Sequence, residues 1–307
     1  VQTCALPISV CSDSSMPTSI IFNYMRIHRH IRLITSRNIK MEKRNLPSYS
    51  IRDGKRVFEF SAPSSWEELQ GNEQRYILTI MTLFPDQTVA KCYILGRFCG
   101  IKVLKHTRTG WKCSVLCQAE NGKKKREVLY LSEGEILSLL KNFDFIGDYT
   151  YYLPLDTCAG LYAVERLIRD VTFFDYLQLE KNYQLYLIHK DDKFLKKMGW
   201  ILYRNESGES DETAIFQSFE LLNVFMWYSS IKGYLAENFP HFFKPSKEGG
   251  ELKQEDLMPA MQAQIRALTD GDITKQQAVY DSLCWDALSE LDNKAREAEE
   301  FKARNSK

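Results

Sequence analysis

Residues 215–239, IFQSFELLNVFMWYSSIKGYLAENF, form the most hydrophobic stretch of the chain. Large apolar side chains recur every three or four positions and cover more than one face of a helix: Phe216, Phe219, Leu222, Phe225, Met226, Trp227 and Leu235. A helix that is apolar on several sides belongs in a protein core, and Pro240 prevents this one from continuing. We therefore predict a central core helix here.

Two further helical patterns precede this stretch. Residues 172–188 carry aromatic and aliphatic side chains on more than one helix face, which predicts a second helix packed on several sides. Asp191 or Asp192 can cap a third helix that runs to about residue 204. The polar segment 205–211, NESGESD, then predicts a loop.

The N-terminal half mixes strand and helix signals. Asp53-Gly54 and Asn121-Gly122 each separate two segments rich in strand formers, and such dipeptides are typical of two-residue hairpin turns. We predict two small hairpins, the second pairing residues 111–119 with residues 127–131.

Several helix starts can be predicted in the same half. Serines 64 and 65 should cap a helix at residues 66–69, and Asn72 should begin the next one. A short helix over residues 86–98 should end near Gly100. Ser132 and Glu135 have the spacing of a capping box.

The C-terminal part begins with a predicted linker over residues 244–256, which contains Pro245 and Gly249-Gly250 and has no apolar period. A helix follows over residues 257–268, and Gly271 should end it. Asp272 or Thr274 should cap a longer, continuous helix from about Thr274 to Phe301.

These elements predict a mainly α fold of the α+β type: a multi-helix core with two small β-hairpins, then a linker and a C-terminal helical pair. The predicted divisions are an extension (1–40), a core domain (41–243), a linker (244–256) and a C-terminal helical segment (257–307). Residues 1–8, VQTCALPI, resemble a translated sequencing adapter, so we expect residues 1–40 to be an artefactual or disordered extension. The alternative is a basic amphipathic targeting arm with Ile27, Ile31 and Ile34 at helical spacing.

Charge argues against a broad nucleic-acid-binding field. Without residues 1–40 the chain holds 36 lysines and arginines against 39 acids, a net charge of −3. Phosphate binding without sequence preference depends on clustered positive charge. The run KKKR at residues 123–126 keeps a second hypothesis open, a nucleic-acid-binding accessory protein that acts through a basic turn. The alternative is a solvated turn that protects a sheet edge.

No assembled catalytic or metal-binding motif is visible in the sequence. Cys113 and Cys117 would lie about 13 Å apart on a strand, too far to share one zinc ion. The segment from Asp270 to Asp281 lacks the glycine and glutamate of a calcium loop. We therefore expect no metal, no cofactor and no enzymatic activity, and we keep an enzyme whose site forms only in three dimensions as an alternative.

The cysteines and the lack of long apolar runs predict the compartment of the protein. The six cysteines after Met41 fall within apolar patterns, which predicts small core residues: Cys92, Cys99, Cys113, Cys117, Cys158 and Cys284. The sequence contains no run of about 18 apolar residues, so no membrane span is predicted. We expect a cytoplasmic protein of a bacterial host cell.

Parts of the chain resemble a family of uncharacterised prophage proteins that look like bacteriophage tail-assembly chaperones. The resemblance is carried by TFFDYLQLEKNYQLYL (172–187), FLKKMGWILYR (194–204) and FPHFFKP (239–245). PSSWEEL (63–69), IRALTDGDITKQQ (265–277) and WDALSEL (285–291) are similar too. The resemblance implies a non-enzymatic protein that keeps a tape-measure-like tail protein soluble during assembly.

Such a role needs apolar helix faces that a partner can contact. The C-terminal segment offers a candidate partner-binding set: Met258, Met261, Ile265, Leu268, Tyr280, Leu283 and Leu291. The alternative is that these helices dock on their own core.

Overall fold

The computed structural model describes residues 46–53, 56–118, 124–244 and 254–305. Contacts divide them into an N-terminal unit that ends at Asp148 and a C-terminal unit that begins at Tyr149. Both combine helices with small antiparallel sheets, so the fold is mainly α with some β, as predicted. This division differs from the sequence-based one, which places a single core over residues 41–243. Residues 1–40, Gly54 and Asn121-Gly122 lie outside the described residues.

The N-terminal unit opens with the first predicted hairpin, β1 (Ser48–Asp53) and β2 (Arg56–Ser61), paired from Ser48 and Ser61 to Asp53 and Arg56. Helices α1 (Gly71–Leu83) and α2 (Gln87–Phe98) follow. Asp86 caps α2 by accepting from the Thr88 amide at 2.8 Å.

Two predicted helix starts in this unit are wrong. Residues 66–68 form a single 3-10 turn, and Ser65 makes no side-chain cap there. The next helix begins after Gln70 instead of at Asn72, because the Glu73 carboxylate accepts the backbone N–H of Gln70 at 3.0 Å. This contact belongs to a capping box and places the helix cap two positions before Asn72.

A three-stranded antiparallel sheet follows, with β4 (Gly110–Gln118) between β3 (Lys102–Thr107) and β5 (Lys124–Leu131). The sequence predicted only β4 and β5, and it began β5 at residue 127. Gly110 has φ +146°, and a Cβ there would lie 2.2 Å from the carbonyl oxygen of Leu131. Only glycine therefore permits this close approach of β4 to the end of β5.

Helix α3 (Glu133–Lys141) confirms the predicted capping box. The Glu135 amide donates to Ser132 Oγ at 3.3 Å, and Glu135 Oε2 accepts the Ser132 amide at 2.7 Å. A 3-10 turn, Asp144–Gly147, completes the unit.

The C-terminal unit contains the three helices that the apolar stretches predicted. They are α4 (Phe173–His189), α5 (Asp192–Leu202) and α6 (Ser218–Asn238). Asp191 caps α5, as expected, by accepting the Lys193 amide at 2.9 Å. Helix α6 is the predicted core helix, since Val224, Met226 and Tyr228 on it are 0% exposed.

A small sheet in this unit was not predicted. Its strands are β6 (Thr157–Cys158), β7 (Leu161–Ala163) and β8 (Tyr203–Arg204), with β7 in the centre. Strands of two or three residues are too short to show an alternating pattern in the sequence.

The chain ends in α7 (Gln254–Thr269), a 3-10 turn (Ile273–Lys275), α8 (Gln276–Asp281) and α9 (Cys284–Asn305). Gly271 has φ +82°, and Asp272 accepts the Thr274 amide at 3.0 Å, as predicted. Residues 254–256 of the predicted linker begin α7, and residues 245–253 lie outside the described part. Among the described helices, none is long and apolar enough to cross a membrane.

Candidate protein-binding surface

The continuous helix predicted from Thr274 is wrong, because the chain breaks at Ser282 and pairs with the segment before α4. The Phe173 amide donates to the Ser282 carbonyl at 2.8 Å, and the Cys284 amide donates to the Val171 carbonyl at 2.9 Å. These bonds make Thr172 and Leu283 an isolated antiparallel bridge. The break therefore holds Leu283 beside the start of α4.

The first turn of α9 is anchored to the loop before α4. Cys284 is fully buried and its Sγ donates to the Ile168 carbonyl at 3.0 Å. The Trp285 indole donates to the Leu167 carbonyl at 2.8 Å, and the Arg169 guanidinium lies 4.9 Å from the Trp285 ring centroid. Burial raises the pKa of Cys284 to about 12, so this thiol stays protonated and acts as an anchor.

Contacts continue along α9 as far as Glu299. Asp292 Oδ1 accepts the backbone N–H groups of His241 and Phe242 at 2.8 and 2.9 Å. Glu299 contacts His241 Nδ1 at 3.2 Å and Lys244 Nζ at 2.7 Å. The sequence left open whether the C-terminal helices are free to bind a partner or dock on their own core. In the structure they dock on their own core.

The prediction that Leu291 binds a partner is therefore wrong. It is 3% exposed and lies on the buried face of α9 with Ala287 and Leu288. It cannot contact another protein while α9 is docked.

The residues predicted on α7 are partly covered. Leu257, which is 6% exposed, packs with Leu185 and Phe194. That contact leaves Met258 47% exposed and Met261, Ile265 and Leu268 half-buried. Helix α7 thus uses one side to dock and keeps another side accessible.

An exposed cluster lies where the backbone bridge meets α4. Phe174 is 46% exposed and its ring contacts Tyr280 edge-on, with centroids 5.4 Å apart. Leu283 is 46% exposed and is held at the bridge to Thr172. We call Phe174, Tyr280 and Leu283 the apolar patch. Tyr280 and Leu283 belong to the set predicted from the sequence, whereas Phe174 does not, because its partner Tyr280 is 106 positions away in the chain.

The buried polar side chains of this unit hold elements together. Asn223, which is 0% exposed, bonds to Tyr152, Leu155, Cys158 and Tyr203. Between α4 and α6, Glu180 accepts from Lys232, Gln184 and Tyr228. Asn223 thus links α6 to the segments around β6 and β8, and the bonds of Glu180 to Lys232 and Tyr228 link α4 to α6.

Three thiols of the N-terminal unit are buried, and His189 of the C-terminal unit packs against its neighbours. Burial raises the pKa of Cys92 and Cys99 to about 12 and that of Cys113 to about 11. His189 stacks on Phe194 and contacts Gln254 at 2.9 Å. Within the described ranges, no three His, Cys, Asp or Glu side chains are grouped to hold a metal ion.

Comparison with protein-family models, with curated proteins and with solved structures finds no match for this chain.

Proposed function

We propose that this chain is a non-enzymatic interaction protein that binds an amphipathic helix of a partner at the apolar patch. The observation that carries the proposal is the exposure of Phe174 and Leu283, each 46%, on elements fixed by the bridge between Thr172 and Leu283. Exposed aromatic and aliphatic side chains on a rigid support are typical of binding hot spots.

The rigidity of the patch supports this choice of surface. Two backbone hydrogen bonds and the buried Cys284 and Trp285 anchors hold Leu283 in place before any partner arrives. Binding to a preorganised surface loses less conformational entropy than binding to a mobile one. A partner helix could place residues spaced by three or four positions against Phe174, Tyr280 and Leu283.

The specific partner we propose is the tape-measure-like protein implied by the resemblance to tail-assembly chaperones. A long helical chain of that kind exposes apolar faces until it is assembled, and an apolar patch could cover one of them. We propose a cytoplasmic location in a bacterial cell, which fits the free thiols of Cys92, Cys99, Cys113, Cys158 and Cys284.

Co-expression with a neighbouring reading frame that encodes a long coiled coil tests this function. We expect the two products to co-purify, and we expect the double variant Phe174→Ser/Leu283→Asp to weaken the complex at least about thirtyfold, since a lost hot spot costs about 2 kcal/mol or more. Both side chains are nearly half exposed, so the variant should keep its thermal unfolding midpoint.

Ile215→Asp is the matched control, because Ile215 is 84% exposed and lies in the same unit outside the patch. It should bind the partner normally. Absence of co-purification, or equal binding by the double variant and the wild-type chain, would reject the proposed function.

A further inference from the structure

The sheet formed by β3, β4 and β5 has two chemically different faces. One face, which we call the apolar face, carries five apolar side chains that are at most 5% exposed: Trp111, Cys113, Val115, Leu129 and Leu131. Side chains alternate between the faces of a strand, so Lys112 and Ser114 on β4 and Arg126, Val128 and Tyr130 on β5 belong to the other one. We call this second face the basic face.

The strand register concentrates positive charge on the basic face. Lys105 on β3 pairs with Lys112 on β4, and Lys112 pairs with Tyr130 on β5. Lys102 pairs with Ser114, whose hydroxyl accepts from Arg126 at 3.3 Å. Four cations, on three adjacent strands about 4.8 Å apart, therefore share one side of the sheet.

These strands carry little negative charge beside the four cations. The described residues of β3, β4 and β5 include a single acid, Glu127. It pairs with Val115 in the register of the apolar face, and its carboxylate lies 3.5 Å from Lys125. Like charges directly opposite each other destabilise a sheet, and a bound polyanion would relieve the repulsion between Lys105 and Lys112.

An aromatic side chain stands among the cations. Tyr130 is 54% exposed, and the Lys112 ammonium lies 5.9 Å from its ring centroid. Val128, 39% exposed, adds apolar surface two residues away. An open aromatic ring beside cations on a sheet can stack an unpaired base while the cations contact the phosphates. A duplex keeps its bases stacked internally and could not use Tyr130 in this way.

We infer that the basic face binds single-stranded nucleic acid, with Tyr130 as a stacking platform and Lys102, Lys105, Lys112 and Arg126 as phosphate contacts. The near-neutral net charge of the chain does not oppose this, because the field near a surface depends on how its charges are arranged. The surface lies in the N-terminal unit and is independent of the apolar patch.

Fluorescence anisotropy of a labelled 15-nucleotide oligo-dT with the full chain tests the inference. We expect binding at low salt, with log K falling against log salt at a slope of roughly −2 to −3 for three or four phosphate contacts. The double variant Lys105→Gln/Lys112→Gln should bind less tightly and reduce the size of that slope by about 1.4. Tyr130→Ala should weaken binding roughly 5- to 150-fold at an unchanged slope.

Lys196→Gln/Lys197→Gln on α5 removes the same charge from exposed positions of the other unit and should bind as the wild-type chain does. The inference is overturned by no binding at 20 mM salt, by an equal loss in this control, or by equal affinity for duplex DNA or a polyglutamate peptide. Phe174→Ser/Leu283→Asp should retain full DNA binding, so failure here and failure of the proposed protein-binding function can be distinguished.

Discussion

Replacing Asn223 with leucine is expected to lower the free energy of unfolding by about 3 to 5 kcal/mol. Asn223 Oδ1 accepts the Tyr152 hydroxyl at 2.9 Å and the Leu155 amide at 3.0 Å, and its Nδ2 donates to the Tyr203 hydroxyl at 2.6 Å. Leucine has the same number of side-chain heavy atoms in a similar branched shape but offers no acceptor. It would remove the acceptor that the Leu155 N–H and the Tyr152 hydroxyl share, and a buried donor left unsatisfied costs about 1 to 3 kcal/mol.

Urea unfolding followed by tryptophan fluorescence measures this effect, since Trp200, Trp227 and Trp285 all lie in the C-terminal unit. Asn238→Leu is the matched control on the same helix. Asn238 is exposed and donates only to the Tyr234 carbonyl, so its loss should change stability by no more than about 0.5 kcal/mol. A loss below about 1 kcal/mol for Asn223→Leu would contradict the proposed role of this side chain.

The role of Asn223 could not be predicted from the sequence. Three of its four partners, Tyr152, Leu155 and Cys158, are 65 to 71 positions away in the chain. Within the apolar pattern of residues 215–239, Asn223 is simply a polar residue that breaks the pattern. No neighbouring residue identifies it as a link between α6 and the segment before β6.

Local signals were more informative. The capping box of Ser132 and Glu135, the cap at Asp191, which was one of two predicted candidates, and the helix end at Gly271 all depend on contacts within five residues, and the structure agrees with these predictions. The break at Ser282 was missed because a long-range bridge to Thr172 outweighs the local helical pattern. The same bridge builds the apolar patch, so the patch could be predicted only in part.

The placement of positive charge could also be predicted only in part from the sequence. The balance of acids and bases indicated no broad positive field, and the run at residues 123–126 suggested a basic turn. In the structure, Lys124 begins β5, and Lys123 lies outside the described residues. Lys102, Lys105 and Lys112 join Arg126 only through the strand register, since they come from separate parts of the sequence.

Replacing Lys232 with methionine is expected to cost about 3 kcal/mol, the lower end of the range for breaking a buried ion pair, because both side chains remain 19% exposed. Lys232 Nζ lies 2.6 Å from Glu180 Oε1 and links α6 to α4. Without Lys232, the Glu180 carboxylate keeps hydrogen bonds from Gln184 and Tyr228 but loses its countercharge. Lys193→Met, which breaks an exposed pair with Asp191, should leave the urea midpoint unchanged.

The double variant Glu180→Gln/Lys232→Met separates the cost of an unpaired charge from the value of the pair. It should be more stable than Lys232→Met alone, because a neutral amide at residue 180 needs no countercharge. A double variant as unstable as the single one would contradict this argument and would indicate that packing of the Lys232 stem dominates.

The pH dependence provides a second check on the same pair. Burial alone raises the pKa of Glu180, but the charge of Lys232 and the hydrogen bonds from Lys232, Gln184 and Tyr228 outweigh it and leave this pKa below its ordinary value of 4.5. A carboxyl group with a lowered folded pKa stabilises the protein above its unfolded pKa, and that contribution is lost as the pH falls below about 4.5. Glu180→Gln should therefore unfold more easily than the wild-type chain at pH 7, and the difference between them should shrink towards pH 3. A difference that stays constant over this range would show that ionised Glu180 contributes nothing to stability.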